Sequence, residues 1–361
     1  MNLINRLAIL LCISVLFTSY SCKNIKSRSN KPENIILMIG DGMGVTHVYA
    51  GLTANGGSLN LERFTHSGFQ KTYSANRYTT DSGASGTALA TGTKTLNSAI
   101  GIGPEGDTLK NIIEYAEEAG LSTGVIATST ITHATPASFV AHNRYRSRYE
   151  EIALDFLDAG LELFIGGGWS HFITRKDGRD LIQELESAGY TFSNELEDIY
   201  SSSDLPLGIL TDSAAMPPAQ SGRGDLLPRA TKTAIQLLSP VKGGFFLMIE
   251  GSQIDWAAHD GDTEYLTSEV IDFDESIGKA LDFAIEDKNT LLIVTADHET
   301  GGFSIANGDI EKGLVEGSFS TDGHTGTMVP VFAYGPGASE FSGIYENTAI
   351  FDKMIELLDL R

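Results

Sequence analysis

Six short apolar runs, at 34–39, 121–127, 161–165, 244–249, 290–295 and 330–334, constrain the fold of this chain more than any other feature. They are rich in β-branched residues and apolar at consecutive positions, as strands buried on both faces should be. Between them lie helical patterns: "DTLKNIIEYAEEAG", "SRYEEIALDFLDAG", "RDLIQELESAGY", "LPRATKTAIQLL" and the long "TEYLTSEVIDFDESIGKALDFAIED". Several end at a glycine suited to a left-handed cap. Strand and helix alternate over the whole chain, which predicts a three-layer α/β sandwich, a central and mostly parallel sheet with helices on both faces. At 361 residues the chain exceeds the usual domain of about 100 to 200 but stays within the reach of one α/β domain. The expected boundaries are a leader at 1–21, a tail at 22–33 and a single domain at 34–361.

In this fold class chemistry gathers at the carboxyl ends of strands. The first run flows into "IGDGMG", which carries Asp41, and the second is followed by "THATP" with His133 and Thr135. The fourth leads into "EGSQIDWAAH" with Glu250, Asp255 and His259, and the fifth into "ADHETGG" with Asp297 and His298. Acids and histidines therefore occupy four separate strand ends. Glycines 40, 42 and 44 would let the backbone approach a phosphate, yet Asp41 would repel one unless a cation stood between them. Their G-x-G-x-G spacing lacks the third glycine of a dinucleotide-binding loop.

Asp255 and His259 are four apart and share one face if the segment is helical, as two ligands of one metal require. A surface ion pair is the commoner use of that spacing; Glu250 just upstream shifts the balance. Asp297 and His298 could be a cap and a core histidine, or could converge where the strand ends and turns. His324, in the glycine-flanked turn "DGHTG", suits a third nitrogen ligand. Carboxylates with imidazoles and no thiolate favour zinc or a comparable transition metal, while all-oxygen sets suit magnesium.

Two further segments carry polar groups suited to an anion. In "YTTDSGASGTALATG" Ser82 stands where an extended segment is expected to become a helix of small residues, whose free N–H groups favour phosphate. Asp81 and Ser82 could equally be plain N-caps. In "THATPASFVAHNRYR" Pro136 is expected to open a helix, with Arg146 near its carboxyl end and Arg144 half a turn away. Guanidinium suits bidentate phosphate binding.

Arg6 followed by "LAILLCISVLF" is a signal-peptide pattern, too short to span a membrane. Cys22 after it resembles a lipoprotein attachment site, with simple cleavage as the competing outcome, so the expected location is periplasmic or at the cell surface. Cys12 lies within the leader, which leaves no intramolecular disulfide in the mature chain. With the five leading basic residues Arg6, Lys23, Lys26, Arg28 and Lys31 set aside, 20 Lys plus Arg face 47 Asp plus Glu, a body charge of −27. Such a surface repels nucleic acid and anionic lipid.

Taken in order from Asn34 to Gly326, these segments closely resemble the alkaline phosphatases. "DSGASGTALATG" resembles the family's nucleophile segment, which implies that Ser82 is phosphorylated and dephosphorylated. The resemblance implies one zinc on Asp255, His259 and His324, a second on Asp41, Asp297 and His298, and magnesium against Asp41, Thr135 and Glu250. Arg146 matches the family's phosphate clamp, with Asp81 orienting it and Arg144 as the local competitor. His133 stands where some bacterial members have Asp, so it would touch the third metal through water, and Trp256 stands where they have Lys. That pair is similar to a subset that includes marine and cold-adapted enzymes. The implied reaction is hydrolysis of phosphate monoesters through a phosphoserine at alkaline pH, by a monomer or homodimer. Phosphodiesterase or sulfatase activity, and metal binding without catalysis, are the competing readings.

Overall fold

The computed structural model describes residues 31–195 and 205–361, and Lys31–Arg361 form one compact unit. The expected leader and Cys22 lie outside the described residues. Among the described residues fourteen strands are formed: β1 (Asn34–Gly40), β2 (His66–Lys71), β3 (Ser122–Thr130), β4 (Leu163–Gly167), β5 (Thr191–Ser193), β6 (Leu207–Leu210), β7 (Phe245–Gly251), β8 (Thr290–Thr295), β9 (Glu299–Thr300), β10 (Phe303–Asp309), β11 (Leu314–Phe319), β12 (His324–Thr325), β13 (Val329–Tyr334) and β14 (Gly343–Glu346). Ten of them make the main sheet in the order β14-β2-β13-β8-β1-β7-β3-β4-β6-β5. Only β13 runs against its neighbours, β2 and β8; every other pairing in this sheet is parallel.

The sheet divides two cores, and β1 shows how. Ile35, Leu37 and Ile39 face one apolar cluster, built with the helices Ser82–Thr91, Ile112–Glu118 and Thr348–Leu357 among others. Ile36 and Met38 face the other, packed by Val45–Ala54, Leu226–Leu238 and the long helix Thr263–Asp287. Period-two alternation in a strand with no polar residue past Asn34 thus fills both layers at once. The expected three-layer sandwich is the fold.

All six expected strands are present. In the main sheet the strands not anticipated are β2 and β14, which lie at one margin and are largely exposed, the three-residue β5, and β6, which is only "LGIL"; β9, β10, β11 and β12, outside that sheet, are not anticipated either. One expectation fails. The helix at Pro136 spans only Ala134–Ala137, so Thr135 and Pro136 lie inside it and Arg146 lies well beyond it. Paired hydrogen bonds of 2.8 Å between Ile100 and Asn143, and one from the His142 N–H to Asp155 Oδ2 at 2.8 Å, draw the chain out of helical geometry before Arg146.

Phe246, the second residue of β7, is fully buried and stacks on Phe139 with centroids 6.3 Å apart. Phe246→Ala is expected to cost about 3–5 kcal/mol of stability, read by chemical denaturation at constant metal content.

Candidate metal-assisted active site

The loop after β1 lies against two others. Gly42 has φ +73°, and a Cβ there would stand 2.7 Å from Thr300 Oγ1 and 2.9 Å from Asp255 Cα. Only glycine permits that approach. The Gly42 N–H also donates to Asp297 Oδ1 at 3.1 Å, so the Asp41 loop is tied to the turn after β8. Glu250 projects from the end of β7, and the helix Gln253–His259 that follows carries Asp255 and His259 on one face, as their spacing requires. His324 is brought to them by the short pairing of β12 with β9.

Three groups result: Asp41, Asp297 and His298; Asp255, His259 and His324; and Asp41, His133 and Glu250. In each, ligand atoms of all three residues lie within 4.8 Å of one another. Hydrogen bonds at the far nitrogens fix the imidazoles. His259 Nδ1–H donates to the Asp322 carbonyl at 2.5 Å and His324 Nδ1–H to that of Thr80 at 2.9 Å. The Thr300 hydroxyl donates to Asp255 Oδ1 at 2.5 Å and so accepts from His298 Nδ1–H at 3.2 Å. Each neutral ring therefore presents a bare Nε2. His298 Nε2 faces Asp297 Oδ2 at 3.2 Å and Asp41 Oδ1 at 3.4 Å; His259 and His324 Nε2 lie 3.3 and 3.5 Å from Asp255 Oδ1 and 3.2 Å from each other. Lone pairs facing lone pairs call for a cation.

The oxygen donors tell the same story. Both oxygens of Asp41, one each of Glu250 and Asp297, Thr135 Oγ1 and His133 Nδ1 are buried without a hydrogen-bond partner. Natural proteins rarely leave such groups orphaned. The residues present fit divalent cations, with nitrogen and carboxylate donors in two groups and a set dominated by oxygen around Glu250 and Thr135.

Burial and the charges of Asp297, Asp255 and Glu250 hold the Asp41 carboxyl well above the usual carboxylate range. Burial pushes Glu250 up to about 7 despite a hydrogen bond from Ser252, and burial with the charge of Asp255 pushes Asp297 to about 6. His133 falls to about 3 through burial and the nearby Arg146, and burial and His324 hold His298 well below its ordinary value. Asp255 is lowered, because hydrogen bonding from His259 and the charges of three histidines outweigh its burial. Its hydrogen bond raises His259 to about 9. In the metal-free chain a proton on His259 takes the place of a cation.

Ser82 begins the helix Ser82–Thr91, all of whose residues are buried and small but for Leu89. Its Oγ lies 3.2 Å from His298 Nε2. Asp81 is the N-cap, accepting the Ala84 N–H at 3.0 Å through Oδ1, and its Oδ2 meets Arg146 Nη1 at 3.2 Å. Asp81 thus caps the helix with one oxygen and meets Arg146 with the other. Arg146 Nη2 lies 3.5 Å from His133 Nε2, whereas Arg144 is exposed. Trp256 is half-buried, edge-on to His133 with centroids 5.9 Å apart.

The family model described as Alkaline phosphatase matches residues 32–317 and 316–360. The chain belongs to the alkaline phosphatase family. Alkaline phosphatase 4 of Bacillus subtilis is 36% identical over 87% of this chain and 86% of its own. Among solved structures, the alkaline phosphatase of the Antarctic bacterium TAB5 matches with TM-score 0.88 and 44% identity over 92% of this chain and 99% of that one. A variant of it with a histidine replaced by glutamate, similar at TM-score 0.88 and 43% identity over 91% of this chain and 98% of that one, was solved with Mg bound in the M3 site. As an alkaline phosphatase, this chain is a metal-dependent hydrolase of phosphate monoesters.

Several supporting residues of the phosphatase site were not singled out from sequence. Thr300 couples the first two groups, His47 receives the Gly44 N–H on Nδ1 and donates from Nε2 to the Thr300 carbonyl at 3.0 Å, and Ser252 donates to Glu250 Oε2 at 2.5 Å. For Thr300 and Ser252 the signal was adjacency, since both stand two residues from a predicted ligand; for His47 there was none.

Metal ions must displace the protons held by Glu250 near 7 and Asp297 near 6, so affinity rises as pH rises through those values. Metal titration of the stripped enzyme is expected to show affinity at least about tenfold weaker at pH 5 than at pH 8. An affinity independent of pH across that range would contradict this account of the site.

Proposed function

We propose that the enzyme hydrolyses phosphate monoesters through a phosphoserine on Ser82, with two zinc ions, one on Asp41, Asp297 and His298 and one on Asp255, His259 and His324. Magnesium is assigned to Asp41, Thr135 and Glu250, with His133 reaching it through water. The observation that carries this reading is the set of bare Nε2 atoms and carboxylates converging beside Ser82, with Ser82 Oγ 3.2 Å from His298 Nε2.

Bound metals would supply the Lewis-acid charge that favours an ionised Ser82 and offsets the charge of the phosphate. The chain's own residues do the rest. Ser82 Oγ forms a bond to phosphorus as the bond to the departing alcohol oxygen breaks, and that oxygen takes up a proton. Water then attacks the phosphoserine, inorganic phosphate leaves, and Ser82 Oγ regains its proton. The Arg146 guanidinium binds two phosphate oxygens and is held for that task by Asp81. Trp256 lines the approach of substrate without adding charge. Supporting this assignment, the small residues beside Ser82 leave room for a ligand to reach the helix N-terminus.

Residues 1–21 are proposed as an export signal and Cys22 as the lipid attachment point of a periplasmic or cell-surface enzyme, monomeric or homodimeric. Loss of detergent-phase partitioning in Cys22→Ala would support attachment there.

Ser82→Ala is expected to lower turnover of an aryl phosphate at least about a thousandfold with metal content unchanged. Near-normal rates would remove Ser82 from the nucleophile role. Chelation is expected to abolish activity and lower the melting temperature together, because the emptied groups repel one another.

A further inference from the structure

Ser98 has φ +77°, a left-handed backbone that serine rarely adopts. It is the third residue of a turn closed by the Ala99 N–H to the Leu96 carbonyl at 3.1 Å, a place where positive φ belongs to glycine or asparagine. Such strain persists only where the surroundings over-determine it. Here the turn is anchored by Asn97, whose N–H donates to Asn76 Oδ1 at 2.9 Å and whose amide donates to the Thr79 carbonyl at 3.2 Å. Just after it, Ile100 pairs with Asn143.

The peptide groups of Ser98 then meet both members of one pair. Its N–H donates to Asp81 Oδ2 at 2.9 Å, and its carbonyl accepts the Arg146 N–H at 2.8 Å. The same Asp81 Oδ2 accepts from Arg146 Nη1. Backbone of Ser98, carboxylate of Asp81 and side chain and main chain of Arg146 close a ring beside Ser82. In an ordinary right-handed or extended conformation Ser98 could not aim its N–H and its carbonyl at these two partners together.

We propose that Ser98 is a positioning residue: its strained backbone sets Asp81 and Arg146 before substrate arrives and thereby sets the affinity for the phosphate dianion. The proposal rests on the reading of Arg146 as the phosphate ligand. The role belongs to the peptide groups, so it depends on which backbone conformations the side chain allows and not on the hydroxyl.

The test is the inhibition constant of inorganic phosphate for the metal-loaded enzyme, with kcat and KM, in Ser98→Gly, Ser98→Ala, Ser98→Val and Arg146→Ala. Glycine accepts φ +77° freely, so Ser98→Gly is expected to keep phosphate affinity within about twofold and to raise the melting temperature. β-Branched valine is excluded from that region, so Ser98→Val is expected to weaken phosphate binding about tenfold, acting through KM more than kcat with metal content unchanged. Ser98→Ala, which keeps the Cβ and removes only the hydroxyl, is expected to bind phosphate within about twofold of wild type, and β-branched Ser98→Thr replaces the valine variant if that chain does not fold. A folded, metal-loaded Val or Thr variant that binds phosphate as wild type does would overturn the proposal, as would a Gly or Ala variant weakened as much as Val. Arg146→Ala separates the two layers: unchanged phosphate affinity there overturns the clamp and the proposal with it, while a loss there without one in Ser98→Val removes Ser98 alone.

Discussion

The rest of the structure answers to one arrangement, the convergence of imidazole nitrogens and carboxylate oxygens that only protons or cations can hold together. His298 Nε2 faces oxygens of Asp41 and Asp297, and Asp255 Oδ1 faces two further Nε2 atoms. Without cations this is among the least favourable groupings a protein can bury, and Asp41, Glu250, Asp297 and His298 are all fully enclosed. The raised carboxyls of Asp41, Glu250 and Asp297 and the depressed imidazoles of His133 and His298 are its electrostatic signature. A scaffold that tolerates it must be rigid through contacts elsewhere.

That rigidity comes from the sheet. β1, β7 and β8 are adjacent, parallel and buried on both faces, so their carboxyl ends deliver Asp41, Glu250 and the Asp297–His298 pair to one place. Two separate cores hold these strands, and neither includes the ligands themselves. Hydrogen bonding then settles orientation: Thr300, Asp322 and Thr80 each occupy an Nδ1, which turns Nε2 toward the candidate metal groups. The phosphate side of the site is built differently. Ser82 stands on a helix, whereas Arg146 stands in irregular chain and depends on Asp81 and on neighbouring backbone for its place.

Sequence legibility follows that division. The buried strands were readable because burial on both faces demands continuous apolar runs, and the ligands because acids and histidines follow such runs so seldom without reason. The Asp255 and His259 spacing translated directly into one helix face. The margin strands β2 and β14 carry no apolar run because much of each meets solvent. The path to Arg146 departs from the helical pattern because the Ile100–Asn143 pairing is long-range, and helical pattern alone cannot announce it. Nor can it announce the bonds of Thr300 to Asp255 and of His47 to the Thr300 carbonyl, whose partners become neighbours only after folding.

The helix that carries Ser82 has one further consequence. It packs against the short helix Ala134–Ala137 through Gly86, where a Cβ would lie 2.8 Å from Ser138 Oγ and 3.5 Å from the Cα of Thr135. Two main chains are thus in near contact, one bearing Ser82 and the other the buried hydroxyl of Thr135. The room at that crossing is limited first by the Ser138 side chain, whose Cβ would stand 3.0 Å from an added methyl. The string of small residues is in this sense a mechanical tolerance: the addition of a single methyl group at that crossing would be felt at both ends of the site.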